Sequence, residues 1–173
     1  MRKGFMAGFS VFLCLILCAC SSSQREYGYL PVYDENVESS VLTLQQGQNI
    51  SFTVQIDREW CGLQIATPVS TETPQTMNIS VYRYASDYAS TIASSERLVG
   101  QPLTCSLPDS QQTLYFDRME SGTYLIMIEA TSETAELRGY AAGGSVSGFQ
   151  FLRDGVVQES GSVGICLIYE ITD

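Results

Sequence analysis

The sequence predicts an all-β protein with one antiparallel β-sandwich, jelly-roll-like, of about seven to nine strands. Three observations favour this fold. Apolar residues recur at every second position in several windows. Gly, Pro, Ser and Asp separate these windows at short intervals. No window carries a clear helical stripe, and the best helical candidate, residues 86–98, is rich in serine, which favours a long loop with one helical turn.

The individual strands follow from these windows in chain order. Residues 49–57 alternate between apolar and polar side chains, which predicts a strand with one buried face. Residues 77–84 alternate as well, with tyrosines on the face opposite the aliphatic residues. The near-continuous apolar run 124–130 predicts a central strand covered on both faces. Shorter strands are predicted at 112–116, 147–152 and 164–171, with a hairpin turn at Asp154-Gly155.

The N-terminus has the layout of an export signal. Arg2 and Lys3 precede an uncharged and largely apolar run over residues 4–19. This run is just short of the usual length of a membrane-spanning helix, so a cleaved signal is favoured over a retained span. Export to the outside of the cytoplasm is therefore the first functional expectation.

The end of the signal indicates how the protein is held after export. The residues Leu17-Cys18-Ala19-Cys20 resemble the lipobox of bacterial lipoproteins, in which a small residue precedes the lipidated cysteine. The resemblance implies cleavage after Ala19, diacylglyceryl transfer to Cys20 and a membrane partner through that lipid anchor. A plain cleaved secretory signal is the alternative. We expect a lipid-anchored location on the cell membrane or the outer membrane, and the sequence does not distinguish the two.

The predicted domains are a signal peptide at 1–19, a lipidated tether at 20–40 and the β-sandwich at 41–173. Residues 20–40 are rich in serine and acidic side chains and hold no period for long, which is typical of a spacer. Tyr27 and Tyr29 alternate in this stretch, so an edge strand is the alternative interpretation. The full length of 173 residues suits one folded domain.

Composition excludes several kinds of chemistry. The chain has 9 basic residues, 19 acidic residues and no histidine, a formal charge of −10. Loss of Arg2 and Lys3 with the signal leaves seven basic and nineteen acidic residues, a charge of −12, and no lysine. This balance argues against nucleic acid as a partner. Histidine bases and lysine Schiff bases are excluded, no catalytic or metal-binding motif is present, and we expect neither an enzyme nor a cofactor.

A family resemblance rests on three stretches: 47–54 (GQNISFTV), 78–82 (NISVY) and 121–128 (SGTYLIMI). In this pattern a glycine precedes an early alternating strand, and Gly-Thr-Tyr opens a late strand. The segment 47–130 resembles the accessory β-sandwich domains of secreted bacterial enzymes of the pre-peptidase C-terminal type. The chain departs from that pattern because it lacks the usual Asp-rich loop and continues well past the late strand. The resemblance implies a binding or accessory role at the cell surface and no catalytic residues.

Three cysteines remain in the predicted domain. Cys166 lies between aliphatic residues and is expected to pack as a small hydrophobic side chain. Cys61 and Cys105 are the pair most suited to a disulfide, which an exported domain permits. Three buried and reduced thiols are the alternative, and the sequence leaves both open.

Aromatic residues are the remaining candidates for a binding site. Trp60, Tyr82 and Tyr84 are expected to present flat faces to a sugar ring. The alternative is that residues 86–111 cover this face of the strand and that the tyrosines are ordinary packing. The sequence thus predicts a non-catalytic, membrane-anchored module of the cell envelope that binds a glycan or a surface protein. A structural or assembly component of an envelope complex, without a small ligand, is the second hypothesis.

Overall fold

A computed structural model describes residues 25–68, 74–107, 109–144 and 146–171, and these residues form three antiparallel sheets and one short helix. The predicted all-β sandwich is therefore confirmed. The described part of the chain contains thirteen strands, more than the sequence windows indicated. The elements are β1 (Glu26–Pro31), β2 (Ser39–Gln45), β3 (Asn49–Ile56), β4 (Trp60–Ala66), β5 (Gln75–Arg83), α1 (Tyr88–Ser94), β6 (Arg97–Cys105), β7 (Gln111–Met119), β8 (Gly122–Ala130), β9 (Thr134–Tyr140), β10 (Gln150–Arg153), β11 (Val156–Val157), β12 (Ser162–Val163) and β13 (Ile165–Ile171).

The strands are arranged in two facing layers. One layer is a six-stranded sheet in the order β11-β10-β3-β8-β5-β6. The other consists of a four-stranded sheet, β1-β13-β4-β7, and a three-stranded sheet, β12-β9-β2. These two sheets meet at Gly164, whose amide donates to the carbonyl of Arg138 and whose carbonyl accepts from Ala66. Trp60 of the four-stranded sheet contacts Tyr124 of the six-stranded sheet across the core, with ring centroids 5.2 Å apart.

Alternation along the strands explains the core. In β3, Ile50, Phe52 and Val54 are fully buried between the layers, as the period of two predicts. Each such side chain contributes about 1.5–3 kcal/mol relative to an exposed position. In β8, Leu125 and Ile126 are both fully buried although they point to opposite faces. The expected central strand covered on both sides is thus confirmed.

The predicted tether is wrong from residue 26 onward. β1 pairs with β13 along its whole length, from Glu26 opposite Ile171 to Pro31 opposite Cys166. The edge-strand alternative is the correct interpretation, and the folded domain begins before residue 41. The serine-rich and acidic composition of residues 20–40 led to the wrong prediction of a tether. β1 is an edge strand with an exposed face, and such a strand tolerates polar residues and a terminal proline.

The single helix of the described residues lies within 86–98, where the sequence predicts a long loop with one helical turn. Asp87 caps α1 by accepting from the backbone amide of Ser90 at 2.8 Å. The helix has 7 residues, and the structure contains no helix in its described ranges that is long and apolar enough to span a membrane. α1 lies against β5 and so covers part of the six-stranded sheet.

Candidate binding site

Trp60 does not belong to a surface site. Its side chain is 1% exposed and packs at the centre of the core. Phe116 meets its ring edge-on at 5.0 Å, and Tyr124 does so at 5.2 Å. The expectation that Trp60 presents a flat face to a sugar is therefore wrong. A β-bulge between Trp60 and Gly62 turns the indole inward, and a bulge of this kind is not visible in the local sequence pattern.

Tyr82 and Tyr84 do not form an exposed platform either. Tyr82 is 8% exposed and clusters with Leu125 and Leu152 on the outer face of the six-stranded sheet. Tyr84 is half-buried and packs against the same cluster, together with Tyr88 of α1. The alternative that the segment after residue 85 covers these tyrosines is thus the one the structure supports. The predicted ligand-binding set of Trp60, Tyr82 and Tyr84 is not brought together.

The three cysteines of the domain are free thiols, so the Cys61–Cys105 disulfide is absent. Cys105 is buried at the end of β6, and burial raises its pKa. Cys166 is half-buried beside the hydroxyl of Tyr33, whose oxygen lies 3.9 Å from Sγ, and burial raises the pKa of both groups. The alternative of three buried and reduced thiols therefore holds for the reduced state of all three, but only Cys105 is buried, and Cys61 and Cys166 are half-buried.

A different set of tyrosines lies on the outer face of the four-stranded sheet. Directly opposed residues in antiparallel strands share a face, and the register aligns Tyr29, Ile168, Gly62 and Tyr115 across all four strands. Tyr29 is 47% exposed and Tyr115 is 50% exposed, whereas Ile168 between them is fully buried. Tyr27 stands two residues before Tyr29 and therefore points to the same face. We call Tyr27, Tyr29 and Tyr115 the tyrosine surface.

Gly62 explains how tyrosines from opposite edges of the sheet meet. A Cβ at position 62 would lie 3.3 Å from Cδ1 of Tyr115 and 3.2 Å from Cδ1 of Ile168. The missing side chain leaves room for Tyr115 to lean over β4 toward Tyr27. The two rings contact each other with centroids 5.4 Å apart and planes at 43°. The result is a continuous aromatic surface across a sheet four strands wide.

One end of the tyrosine surface opens into a charged pocket of about 210 Å³, lined by Arg25, Tyr27, Cys61, Tyr115, Phe116, Asp117, Arg118 and Glu170. Glu170 accepts from two arginines: Nε of Arg25 lies 3.4 Å from one of its oxygens, and Nη2 of Arg118 bonds the other. Arg118 also contacts Glu59 at 3.2 Å. Guanidinium donors, carboxylate acceptors and phenol hydroxyls thus converge beside exposed aromatic rings.

The pKa values of Tyr115 and Cys61, two groups of this site, are both raised. Burial raises the pKa of Tyr115, and the neighbouring Tyr29 and Tyr27 raise it further. Burial also raises the pKa of Cys61, while the charges of Arg118 and Arg25 oppose that rise. The phenol of Tyr115 and the thiol of Cys61 are therefore neutral at physiological pH, and the phenol both donates and accepts hydrogen bonds.

In the described ranges, no group of three or more Cys, Asp or Glu residues is placed to hold a metal. Sequence reasoning missed Tyr115 and assigned Tyr27 and Tyr29 to a spacer. The sequence shows that Tyr27 and Tyr29 alternate and that Tyr115 lies in the predicted strand 112–116. It does not show the pairing of β1, β13, β4 and β7, which brings the three tyrosines to one face.

No family model matches the chain, and no curated protein matches it. The described fold is that of an all-β, sandwich-like domain.

Proposed function

We propose that this protein is a lipid-anchored component of the bacterial cell envelope whose β-sandwich binds a glycan without catalysing a reaction. The anchor is Cys20, and the binding site is the tyrosine surface with its adjoining charged pocket. The observation that carries the proposal is the contact of Tyr27 with Tyr115 beside a pocket that holds both guanidinium and carboxylate groups.

The chemistry of a sugar matches both parts of the site. One face of a pyranose ring carries C–H groups, which are apolar and slightly positive, and the face of a tyrosine ring is negative. The sugar hydroxyls are donors and acceptors at once, so one hydroxyl can accept from Arg118 and donate to Asp117. Ligand sites of this kind combine aromatic contact area with a few polar groups that fix orientation.

The contacts of the carboxylates support a binding role. Glu170 accepts from Arg25 and Arg118, and Glu59 accepts from Arg118. Carboxylate and guanidinium groups that hold each other in this way present fixed acceptors and donors to the hydroxyl groups of a ligand. These groups are therefore arranged to hold a ligand in place.

A glycan array with the purified full-length protein tests the site. We expect signal for at least one class of glycan, and the variants Tyr27→Ala and Tyr115→Ala should each weaken the binding about fivefold, because one aromatic contact is worth about 1 kcal/mol. Tyr84→Ala is the matched control, since Tyr84 lies on the other layer and should bind as the wild type does. An array without signal for the wild type, or equal loss in all three variants, would refute the site.

The anchor is tested separately. Cys20→Ala should release the protein from the membrane fraction, since the acyl chains supply the attachment and the mature chain of charge −12 has no basic segment to assist them. Mass spectrometry of the wild type should find residue 20 as a modified N-terminus. Unchanged membrane retention of the variant would contradict lipidation without affecting the glycan proposal.

A further inference from the structure

The two layers of the sandwich separate along the seam between β6 and β7. These strands follow each other in the chain but belong to different sheets: β6 is the last strand of the six-stranded sheet and β7 the last of the four-stranded sheet. Away from the connecting loop the seam opens into a cleft of about 760 Å³. We call it the seam cleft; its lining is Arg83, Leu98, Val99, Gly100, Gln101, Tyr115, Phe116, Asp117, Arg118, Met119, Glu120 and Tyr124.

The register shows which backbone groups of β7 point into the seam. The amide of Ala66 in β4 donates to Gly164 on the β13 side. Because the direction alternates along a strand, Ile65 and Leu63 turn their backbone groups toward β7, where they face Gln112 and Leu114. The N–H and C=O groups of the intervening residues Thr113 and Tyr115 therefore point away from β4, to the free edge.

The same reasoning applies to β6. The carbonyl of Thr76 in β5 accepts from Thr131 on the β8 side, so Ile79 and Val81 turn their backbone groups toward β6. Their partners in β6 are Gln101 and Val99, which leaves the backbone groups of Gly100 and Pro102 at the free edge. Beyond Val99 a shift of register at Leu98 ends the regular alternation. Pro102 has no N–H and fits this position, because a proline on the ladder side would remove a sheet hydrogen bond.

The seam cleft is thus bordered on both sides by unpaired backbone edges. Gly100 contributes its N–H and C=O groups from one side, and Tyr115 contributes its own from the other. No strand among the described residues lies beside either edge. Two free edges on either side of an open groove are the condition under which an extended peptide adds to a sheet.

We propose that the seam cleft binds an extended segment of another protein by β-strand addition. β6 and β7 run in opposite directions, so the inserted segment runs antiparallel to one and parallel to the other. Its inward side chains meet an apolar floor formed by Val99, Phe116 and Tyr124. Its backbone supplies hydrogen-bond partners for the free N–H and C=O groups of Gly100 and Tyr115.

Charge identifies the occupant further. Arg83 lines the cleft, and its carboxylate partner, Glu120, is 3.9 Å away and 86% exposed, so it is easily displaced. The other charged groups of the lining are Arg118 and Asp117, and Arg118 is already paired with Glu59 and Glu170. Arg83 is therefore the cation of the cleft that an incoming carboxylate reaches most easily. The occupant is therefore a peptide with an acidic side chain beside its apolar residues, and a second copy of this acidic chain is disfavoured by overall repulsion.

The test uses a phage-displayed library of nine-residue peptides panned on the purified full-length protein, followed by fluorescence polarisation with the synthetic form of one enriched sequence. We expect enriched sequences that alternate apolar and polar residues and include an acid. Gly100→Pro removes one N–H aimed at the cleft and should weaken binding roughly threefold to tenfold. Gly100→Ala keeps that N–H and should bind as the wild type does.

A second control tests whether the loss of binding is specific to the cleft or follows any proline substitution in β6. Thr104→Pro removes a free-edge N–H from the same strand outside the cleft and should leave the affinity unchanged. If Gly100→Pro fails to fold, Arg83→Gln takes its place and should weaken binding in a salt-dependent way. Failure to enrich any sequence, equal affinity in both proline variants, or a self-association of the chain that Gly100→Pro abolishes would each overturn the proposal. Retained peptide binding in Tyr27→Ala, whose side chain lines the charged pocket and not the seam cleft, would show that this result is independent of the glycan site.

Discussion

Gly62 is a position where one added methyl group would collide with the backbone of the neighbouring strand. A Cβ there would lie 2.7 Å from the carbonyl oxygen of Leu114 and within 3.3 Å of the rings and methyls of Tyr115 and Ile168. A backbone oxygen cannot move aside by a change of rotamer, so Gly62→Ala must shift β4 against β7. Overpacking of this kind costs about 1–3 kcal/mol, of which about 0.5–1 kcal/mol is offset by the lower entropy of the unfolded chain.

Gly100→Ala is the matched comparison, because Gly100 is also a strand glycine. Its Cβ would meet only the side chain of Arg97, which is exposed and free to move. The entropic gain then dominates, and stability should stay equal or rise by up to about 1 kcal/mol. The same substitution is thus expected to have opposite signs at two positions of the same fold.

Urea unfolding followed by the fluorescence of Trp60 measures the difference. We expect the midpoint of Gly62→Ala to fall by the equivalent of about 1–2 kcal/mol, with an unchanged m-value, and its melting temperature to drop by roughly 2–8 °C. Gly62→Ala should also lose glycan binding, because Tyr115 is displaced. Equal midpoints for Gly62→Ala and Gly100→Ala would refute the account of how Tyr115 comes to lie over β4.

Two further predictions concern thiols and pH. Alkylation and mass spectrometry of the unreduced protein should find Cys61, Cys105 and Cys166 all as free thiols. The native protein should be alkylated slowly, because burial raises the pKa values of the three thiols. A disulfide-linked pair of peptides in the mass spectrum would contradict the structure. The backbone amide of Ser90 lowers the pKa of Asp87 from 3.8, so the ionised cap stabilises the fold above the unfolded pKa, and this contribution is lost as the pH falls through the folded pKa. The stability difference between wild type and Asp87→Asn should therefore shrink between about pH 6 and about pH 2. A constant difference would show that the negative charge of Asp87 does not contribute, since Asn also caps a helix.

Strict alternation made some strands predictable from the sequence and left others hidden. β3, β5 and β8 carry regular apolar patterns and lie inside the six-stranded sheet, where one face or both must be buried. The hairpin at Asp154-Gly155 was also predictable, since both residues adopt positive φ values of 48° and 77° that match a tight turn between β10 and β11. β6 was missed because Gly100 and Pro102 interrupt its pattern, and an edge strand tolerates both.

The proposed binding site could not be predicted from the sequence for a different reason. Tyr27 lies in β1 and Tyr115 in β7, at opposite edges of one sheet, and only the order β1-β13-β4-β7 brings them to the same face. That order depends on pairings between distant segments, which no local window encodes. The same limit explains the error at Trp60, where an aromatic residue at a strand end has no local signal for the bulge that turns it inward.

β7 contributes to both proposed sites through different parts of the same residue. The side chain of Tyr115 lies on the tyrosine surface, whereas its backbone groups point sideways into the seam cleft. In a β-strand the side chains point out of the plane of the sheet, whereas the N–H and C=O groups lie in that plane. A change of the Tyr115 side chain therefore alters the tyrosine surface and leaves the backbone edge at the seam cleft in place. Tyr115→Ala should therefore weaken glycan binding and spare peptide binding, and Gly100→Pro should do the reverse. Loss of both activities in either variant would mean that the two sites are one surface, and the separate assignments would then be wrong.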